Sequence, residues 1–560
     1  MSETGALVPR IYSGFRGVDF RGEEINLVRS PDALNVWKDY KHTESIRTRP
    51  GMKLVHSLPG AVYGIFFFRG QMLIHSGDKL YRVVNGAQTV IFSGLREGVS
   101  DSFVYNGIWY FKDGKHYLKY DGGTIKPVSD DAYVPTTSIG RRPSGGGTIN
   151  EDVNLLSTRR INTFLADGES KDYFLDAQNI DSDFKPIVKV NDKAVTNFSV
   201  NYAEGKITFT EAPEVPLTDG RDNVSVEFKK TTGGYSDRIN KCTLLQVFDN
   251  RVFFSGNPDY PNVLYHCSVD DPAYCSDLDY YNEGLDSAEI KGLVAGNNNL
   301  WVFREPSSSN TTVFYHTPTI DSAYGKIYPS SHSSISTGCV GRAINFNDDI
   351  VFFSPRGMEG ISGAVTEEQV VSHRSTMVDR KLTAEANYKN MILEEWEGYL
   401  VVIIDNKIYL ADSRATFTNV NHIEYEWFYF ELDKNITSAK VNNGILYLGT
   451  ADGVYSLTDN DRDIESYWVT PKDKFGAPQK LKTTNKRGCV VEATGDISVY
   501  AKLEDTDFEL IGTYENITDS FVSRIKRKKW KDIQLKFHSK TRFSLETATL
   551  EAFIGGYIKR

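Results

Sequence analysis

The chain has 560 residues, room for three to four domains at about 150 residues each. Its 64 Lys and Arg stand against 74 Asp and Glu, a net charge of −10, which excludes a surface wholly given to gripping nucleic acid, because neutralising phosphates needs clustered cations. Apolar residues make up 40% and charged residues 25%, so the chain is not disordered, and plentiful Tyr, Phe and Gly beside scarce Met and Cys mark a β protein rich in tight turns.

Residues 1–55 read as an extended N-terminal arm and a first strand. The opening Met1-Ser-Glu-Thr-Gly-Ala-Leu-Val-Pro-Arg10 has no apolar core, so no secretory signal is expected. Three short motifs follow: Gly14-Phe-Arg-Gly-Val-Asp-Phe20, Arg29-Ser-Pro-Asp-Ala-Leu-Asn-Val-Trp37 and Ile46-Arg-Thr-Arg-Pro-Gly51.

From residue 56 the apolar residues alternate with period two, broken by Asn, Asp and Gly turns. Units such as Val104-Tyr-Asn-Gly-Ile-Trp-Tyr-Phe111 and Ile344-Asn-Phe-Asn-Asp-Asp-Ile-Val-Phe-Phe-Ser354 each place a turn before an apolar strand. Taking the first turn as a marker gives Arg69, Asn106, Asn250, Asn297, Asp348, Glu397 and Asn443, with gaps of 37, 144, 47, 51, 49 and 46. A spacing of about 40 to 50 is the length of a four-stranded propeller blade. The pattern predicts an all-β fold: a β-propeller of about seven blades, discontinuous over 56–139 and 233–465. The long gap holds one insertion, a small β-sandwich or barrel module at 140–232, introduced by the linker-like Gly140-Arg-Arg-Pro-Ser-Gly-Gly-Gly-Thr148. Clean alternation in Ser498–Lys502, Ile533–Phe537 and Thr549–Ile554 predicts a C-terminal β-sandwich over 466–560.

Chemistry is sparse. The chain carries no phosphate-binding Gly-rich loop with Lys, no H-E-x-x-H and no G-x-S-x-G elbow. Sialidase-type Asp boxes and the WD40 and kelch signatures are absent too. Cys242, Cys267, Cys275, Cys339 and Cys489 are widely spaced, and His266-Cys267 has no second pair at ligand spacing. No catalytic residue, cofactor or metal is expected. Leu400-Val-Val-Ile-Ile404 is among the longest apolar runs, far short of a membrane helix. One charge cluster stands out: Arg524, Lys526, Arg527, Lys528, Lys529 and Lys531, around Trp530. It reads as a contact for DNA phosphates or an acidic partner, or as a strand edge guarded by lysines.

The three N-terminal motifs, in their order, resemble the opening of tailed-phage virion proteins of the tail nozzle, tail hub or packaged-DNA stabilisation family. The inserted segment with Phe174-Leu-Asp176 and Gly205-Lys-Ile-Thr-Phe209 is similar to the small β modules of phage tail proteins, and the ending Gly555-Gly-Tyr-Ile-Lys-Arg560 is similar to the same group. The resemblance implies a non-enzymatic structural protein of the virion tail, assembled in the host cytoplasm. It implies a homo-oligomeric ring, a hexamer, below portal and adaptor, which retains packaged DNA and conducts the double strand at ejection. Arg47, Arg49 and Pro50 then become a candidate subunit-contact arm, and the acidic surplus suits a conduit wall that repels phosphate. A carbohydrate-binding or depolymerising propeller and a non-viral propeller scaffold are the alternatives open at this point.

Overall fold

A computed structural model describes residues 6–41, 44–308, 311–322, 325–333, 335–362, 370–419, 422–458, 463–526 and 529–557. Seven four-stranded antiparallel blades begin with the strands Val62–Phe68, Asp101–Tyr105, Leu244–Phe248, Ile290–Gly296, Ala343–Phe346, Ile392–Trp396 and Ser438–Asn442. These seven first strands touch one another in order, and the seventh touches the first, so the ring closes. Closure is by strand exchange across the sequence. Blade seven takes its fourth strand, Gly51–Ser57, from the N-terminal side, in register Met52↔Leu457. The chain is thus all-β with a seven-bladed propeller at its centre.

The blade turns show why the sequence repeats as it does. Each marker residue lies in a two-residue turn between the first and second strands, and both turn residues have positive φ: Arg69 with Gly70, Asn106 with Gly107, Asp249 with Asn250, Asn297 with Asn298, Asn347 with Asp348, Glu397 with Gly398, Asn443 with Gly444. That backbone matches the right-handed twist of a hairpin and favours Asn, Asp and Gly. Arg69 is an uncommon occupant. Its guanidinium holds the turn by donating to the carbonyls of Asp121 (2.7 Å) and Gly107 (2.8 Å) in blade two.

Between blades two and three the inserted module builds its own core of Phe164, Tyr173, Val188, Ile207, Val226 and Phe228. A six-stranded and a three-stranded sheet supply it. Its first strand is Thr136–Arg141, so the Gly-rich segment expected to be a linker is instead a turn. Thr148–Ile149 folds back to pair Ile139↔Thr148, and Gly147 lies so close to the Ile139 carbonyl that a Cβ there would sit 2.8 Å from its oxygen.

The C-terminal strands do not stand apart. The long Lys480–Leu503 and Phe543–Tyr557 pair with each other across register shifts. Ala6–Tyr12 joins the outer side of Phe543–Tyr557, and Ile46–Thr48 pairs with Ser544 and Leu545. Val36–Trp37 then reaches Tyr429 of blade six. One hydrogen-bonded sheet therefore runs from blade six, through the N-terminal segment, into the C-terminal region. The N-terminal segment, expected to be an extended arm, is a set of interior and edge strands of that sheet.

Candidate functional site

The residues expected to contact other subunits form a clasp inside the chain. Asn35, at φ 56, turns the backbone so that its side chain faces three partners. Its Oδ1 accepts from Arg49 Nε (2.8 Å) and from the Glu431 N–H (2.9 Å), and its Nδ2 donates to the Glu465 carbonyl (2.9 Å). Arg49 is buried and completes the fork, donating to the carbonyls of Pro50 (2.9 Å) and Glu431 (2.8 Å). Pro50 is buried beside it, and Arg47 pairs with Asp39 at 3.5 Å. Blade six and the N-terminal strands therefore meet on one guanidinium, and Asn35 ties that pair to Glu465, just ahead of the C-terminal strand Ser466–Val469. A wrapping contact to a neighbour through Arg49 and Pro50 is corrected by this burial: their polar groups are engaged within the chain.

The other two motifs serve the same junction. Gly17, at φ 82, lies flat on blade six, where a Cβ would fall 2.0 Å from the Trp427 carbonyl oxygen. That carbonyl instead accepts from the Val18 N–H at 2.7 Å. Trp37 stacks on Trp396 at 5.1 Å and 12°. Ser30 donates to the Val469 carbonyl (2.7 Å), and Tyr12 and Arg10 both reach the Asp473 carboxylate (3.1 and 2.8 Å). Arg16 and Arg29 approach the buried Glu426 at 3.6 and 3.7 Å. Burial outweighs the two arginines and pushes its carboxyl up to about 7.

The basic cluster behaves in the opposite way. Arg524, Lys526, Lys529 and Lys531 are exposed, while Ile525 and Trp530 between them are buried. Arg527 and Lys528 lie outside the described residues. The alternation makes a charged rim over a partly apolar hollow of about 290 Å³, with Ala501, Ile525 and Trp530 in its lining, Leu510 and Ile511 beside them, and Glu504, Thr506 and Glu509 among its polar walls. Trp530 is fixed by an indole N–H to Thr484 Oγ1 at 3.1 Å. The sequence showed the charge but not the hollow, because its other wall comes from strand Glu509–Ile517.

Charge on the propeller axis is mixed. Asp101, Glu394, Lys440 and Arg342 lie on or just before the first strands of blades two, six, seven and five, and they influence one another across the centre. Burial pushes Asp101 up to about 6 against the pull of Lys440 and Arg342. Lys440 pairs with Glu394 at 3.0 Å. Acids and bases thus stand together at the centre of the propeller.

One polar trio lies between blades three and four. Glu283 accepts from His316 Nε2 (2.9 Å) and Ser330 Oγ (2.7 Å), while His316 Nδ1 meets the Tyr328 carbonyl (2.9 Å). The serine donates to the carboxylate and not to the imidazole, so the trio lacks the geometry of an activated hydroxyl. His373 is held by Asp379 and Glu359, which overcome burial and lift it to about 9. All five cysteines are buried, and burial pushes Cys242, Cys267, Cys339 and Cys489 up to about 12, which keeps them as thiols. Burial lowers His266 to about 4. Among the described residues no group of three His, Cys, Asp or Glu side chains is placed to hold a metal ion, and no helix is long and apolar enough to cross a membrane.

No family model matches the chain, and no curated protein matches its sequence. Solved structures that align with the chain include BamB from Moraxella catarrhalis, at 11% identity and TM-score 0.32 over 74% of this chain and 99% of that one. The computationally designed Ika8 protein aligns at 10% identity and TM-score 0.32, covering 72% and 98% of the two chains. The dihydro-heme d1 dehydrogenase NirN aligns at 10% identity and TM-score 0.30, covering 87% and 79%.

Proposed function

We propose that this chain is a structural protein of a tailed-phage virion. It is the subunit of a tail nozzle or hub ring that sits below portal and adaptor, retains packaged DNA and conducts it at ejection. In this reading it is no enzyme: its polar contacts are architectural, its ring is homo-oligomeric and most simply hexameric, and it resides in the virion tail after assembly in the host cytoplasm. The reading starts from the N-terminal motifs that resemble that family. One observation supports it above others: the residues of those motifs, Gly17, Asn35, Trp37 and Arg49, all serve the junction that joins propeller and C-terminal sheet. A motif whose residues work as a frame suits a protein whose task is to hold shape under load.

The test is reconstitution. Purified chain mixed with the portal and adaptor proteins encoded beside its gene is expected to give rings stacked on the adaptor in electron micrographs. A chain that stays unassembled with both partners present, or a gene with no portal, terminase or capsid genes nearby, counts against the proposal.

A further inference from the structure

A ring of identical subunits needs two different surfaces on each copy that fit each other. Resting on the ring reading above, we infer that they are the tip of the inserted module and the apolar hollow under the basic rim, the tip of one copy entering the hollow of the next.

The tip is the loop Glu211-Ala-Pro-Glu-Val-Pro-Leu-Thr-Asp219 between strands Lys206–Phe209 and Val224–Lys229. Leu217 is 90% exposed and Val215 58%, an unusual display for two aliphatic side chains so close together. The loop is preset for display. Pro213 is buried at its base, Pro216 fixes the backbone between the two aliphatics, and Asn223 Nδ2 ties the Glu214 carbonyl at 2.8 Å. A segment stiffened in this way loses little entropy when it docks. Its charge is mainly acidic: Glu211, Glu214 and Asp219 are exposed, against Arg221.

The hollow offers the complement. At about 290 Å³ it has room for branched aliphatic side chains, and Leu510, on its wall, is itself 56% exposed. Arg524, Lys526 and Lys529 line it with Glu504 and Glu509, and Lys531 is exposed nearby. Acid around apolar anchors thus meets a rim that is cationic on balance, three cations against two carboxylates, around a floor that includes Ala501, Ile525 and Trp530, which favours one orientation of the contact. Tip and hollow sit on different parts of the fold, so the contact is head-to-tail and can close into a ring. Leu285, Ile149, Ile320 and Leu278 are strongly exposed too, at 104%, 84%, 84% and 67%; Leu285 serves as the control, because its neighbour Asp286 is engaged by Arg304 and has less acid to offer a cationic rim.

Sedimentation velocity of the full-length chain, with electron micrographs, tests this. Leu217→Asp changes an exposed loop residue and is expected to abolish ring assembly while the melting curve stays that of wild type. Leu510→Asp is expected to do the same from the other side, and Lys526→Glu on the exposed rim repeats that arm if Leu510→Asp misfolds. Mixing the Leu217→Asp and Leu510→Asp chains leaves one intact tip and one intact hollow, so a one-to-one dimer and nothing larger is expected. Leu285→Ser is expected to assemble as wild type. Normal assembly of Leu217→Asp, failure of the mixed variants to pair, or loss of assembly in Leu285→Ser overturns the interface and leaves the ring reading standing. A small amphiphile found in the hollow by mass spectrometry, with assembly indifferent to Leu510→Asp, overturns it as well. A wild-type chain that remains monomeric throughout, with portal and adaptor present as well, overturns both.

Discussion

Two sets of cations carry the same label in the sequence and opposite roles in the fold. Arg49 is buried at the clasp and donates to Asn35, Pro50 and Glu431, whereas Arg524 and Lys526 stand exposed around a hollow. Composition and local charge do not separate them. What separates them is whether distant strands arrive with carbonyls to receive the donors. A buried guanidinium without such acceptors is costly, and with them it becomes a joint. A surface cation, by contrast, adds little to stability and is available for recognition.

The contrast can be broken from either side. The largest effect is expected at the clasp's stacked pair: Trp37→Ala should cost about 3–5 kcal/mol, seen as a lower midpoint in chemical denaturation, and a cost under ~1 kcal/mol would mean the junction holds without it. Arg49→Ala should cost about 2–3 kcal/mol by stranding the Asn35 and Glu431 acceptors. Arg49→Lys should recover little of that, because an ammonium lacks the planar fork that serves three acceptors.

Glu426 sharpens the comparison through pH. Its carboxyl, near 7 in the folded chain against an ordinary 4.5, binds its proton more tightly folded than unfolded. Stability is therefore greatest below about 4.5 and falls as pH rises through 7. Glu426→Gln should remove that slope and make the chain more stable than wild type at pH 8 by about 1–2 kcal/mol, with no difference near pH 4. Parallel wild-type and variant profiles would show that Arg16 and Arg29 already neutralise the charge. The smallest stability effect belongs to the rim: Arg524→Glu and Lys526→Glu should each stay within about 0.5 kcal/mol of wild type while flattening the salt dependence of partner or copy binding.

The propeller was legible because its signal is local. A two-residue turn with both φ positive restricts the residues that fit, so Asn106-Gly107 and Asn443-Gly444 mark their blades whatever surrounds them. The inserted module was legible for a related reason, as a break in an otherwise regular spacing. The clasp was not. The pairing of Ala6–Tyr12 with Phe543–Tyr557 joins segments far apart in sequence, and nothing in either strand's alternation names its partner. The same limit hid the fate of Arg49, whose acceptors lie at Asn35 and Glu431, and the hollow beneath Arg524, whose wall comes from Leu510 and Ile511. Residue type told which groups were capable of contact. Only the long-range strand order told which contacts were already made.

Native mass spectrometry of the chain reads ring formation itself. The account predicts one closed oligomer, a multiple of the 63.0 kDa chain mass, that persists on dilution in low salt and gives way to monomer in Leu217→Asp. A wild-type spectrum of monomer alone at every concentration would contradict it.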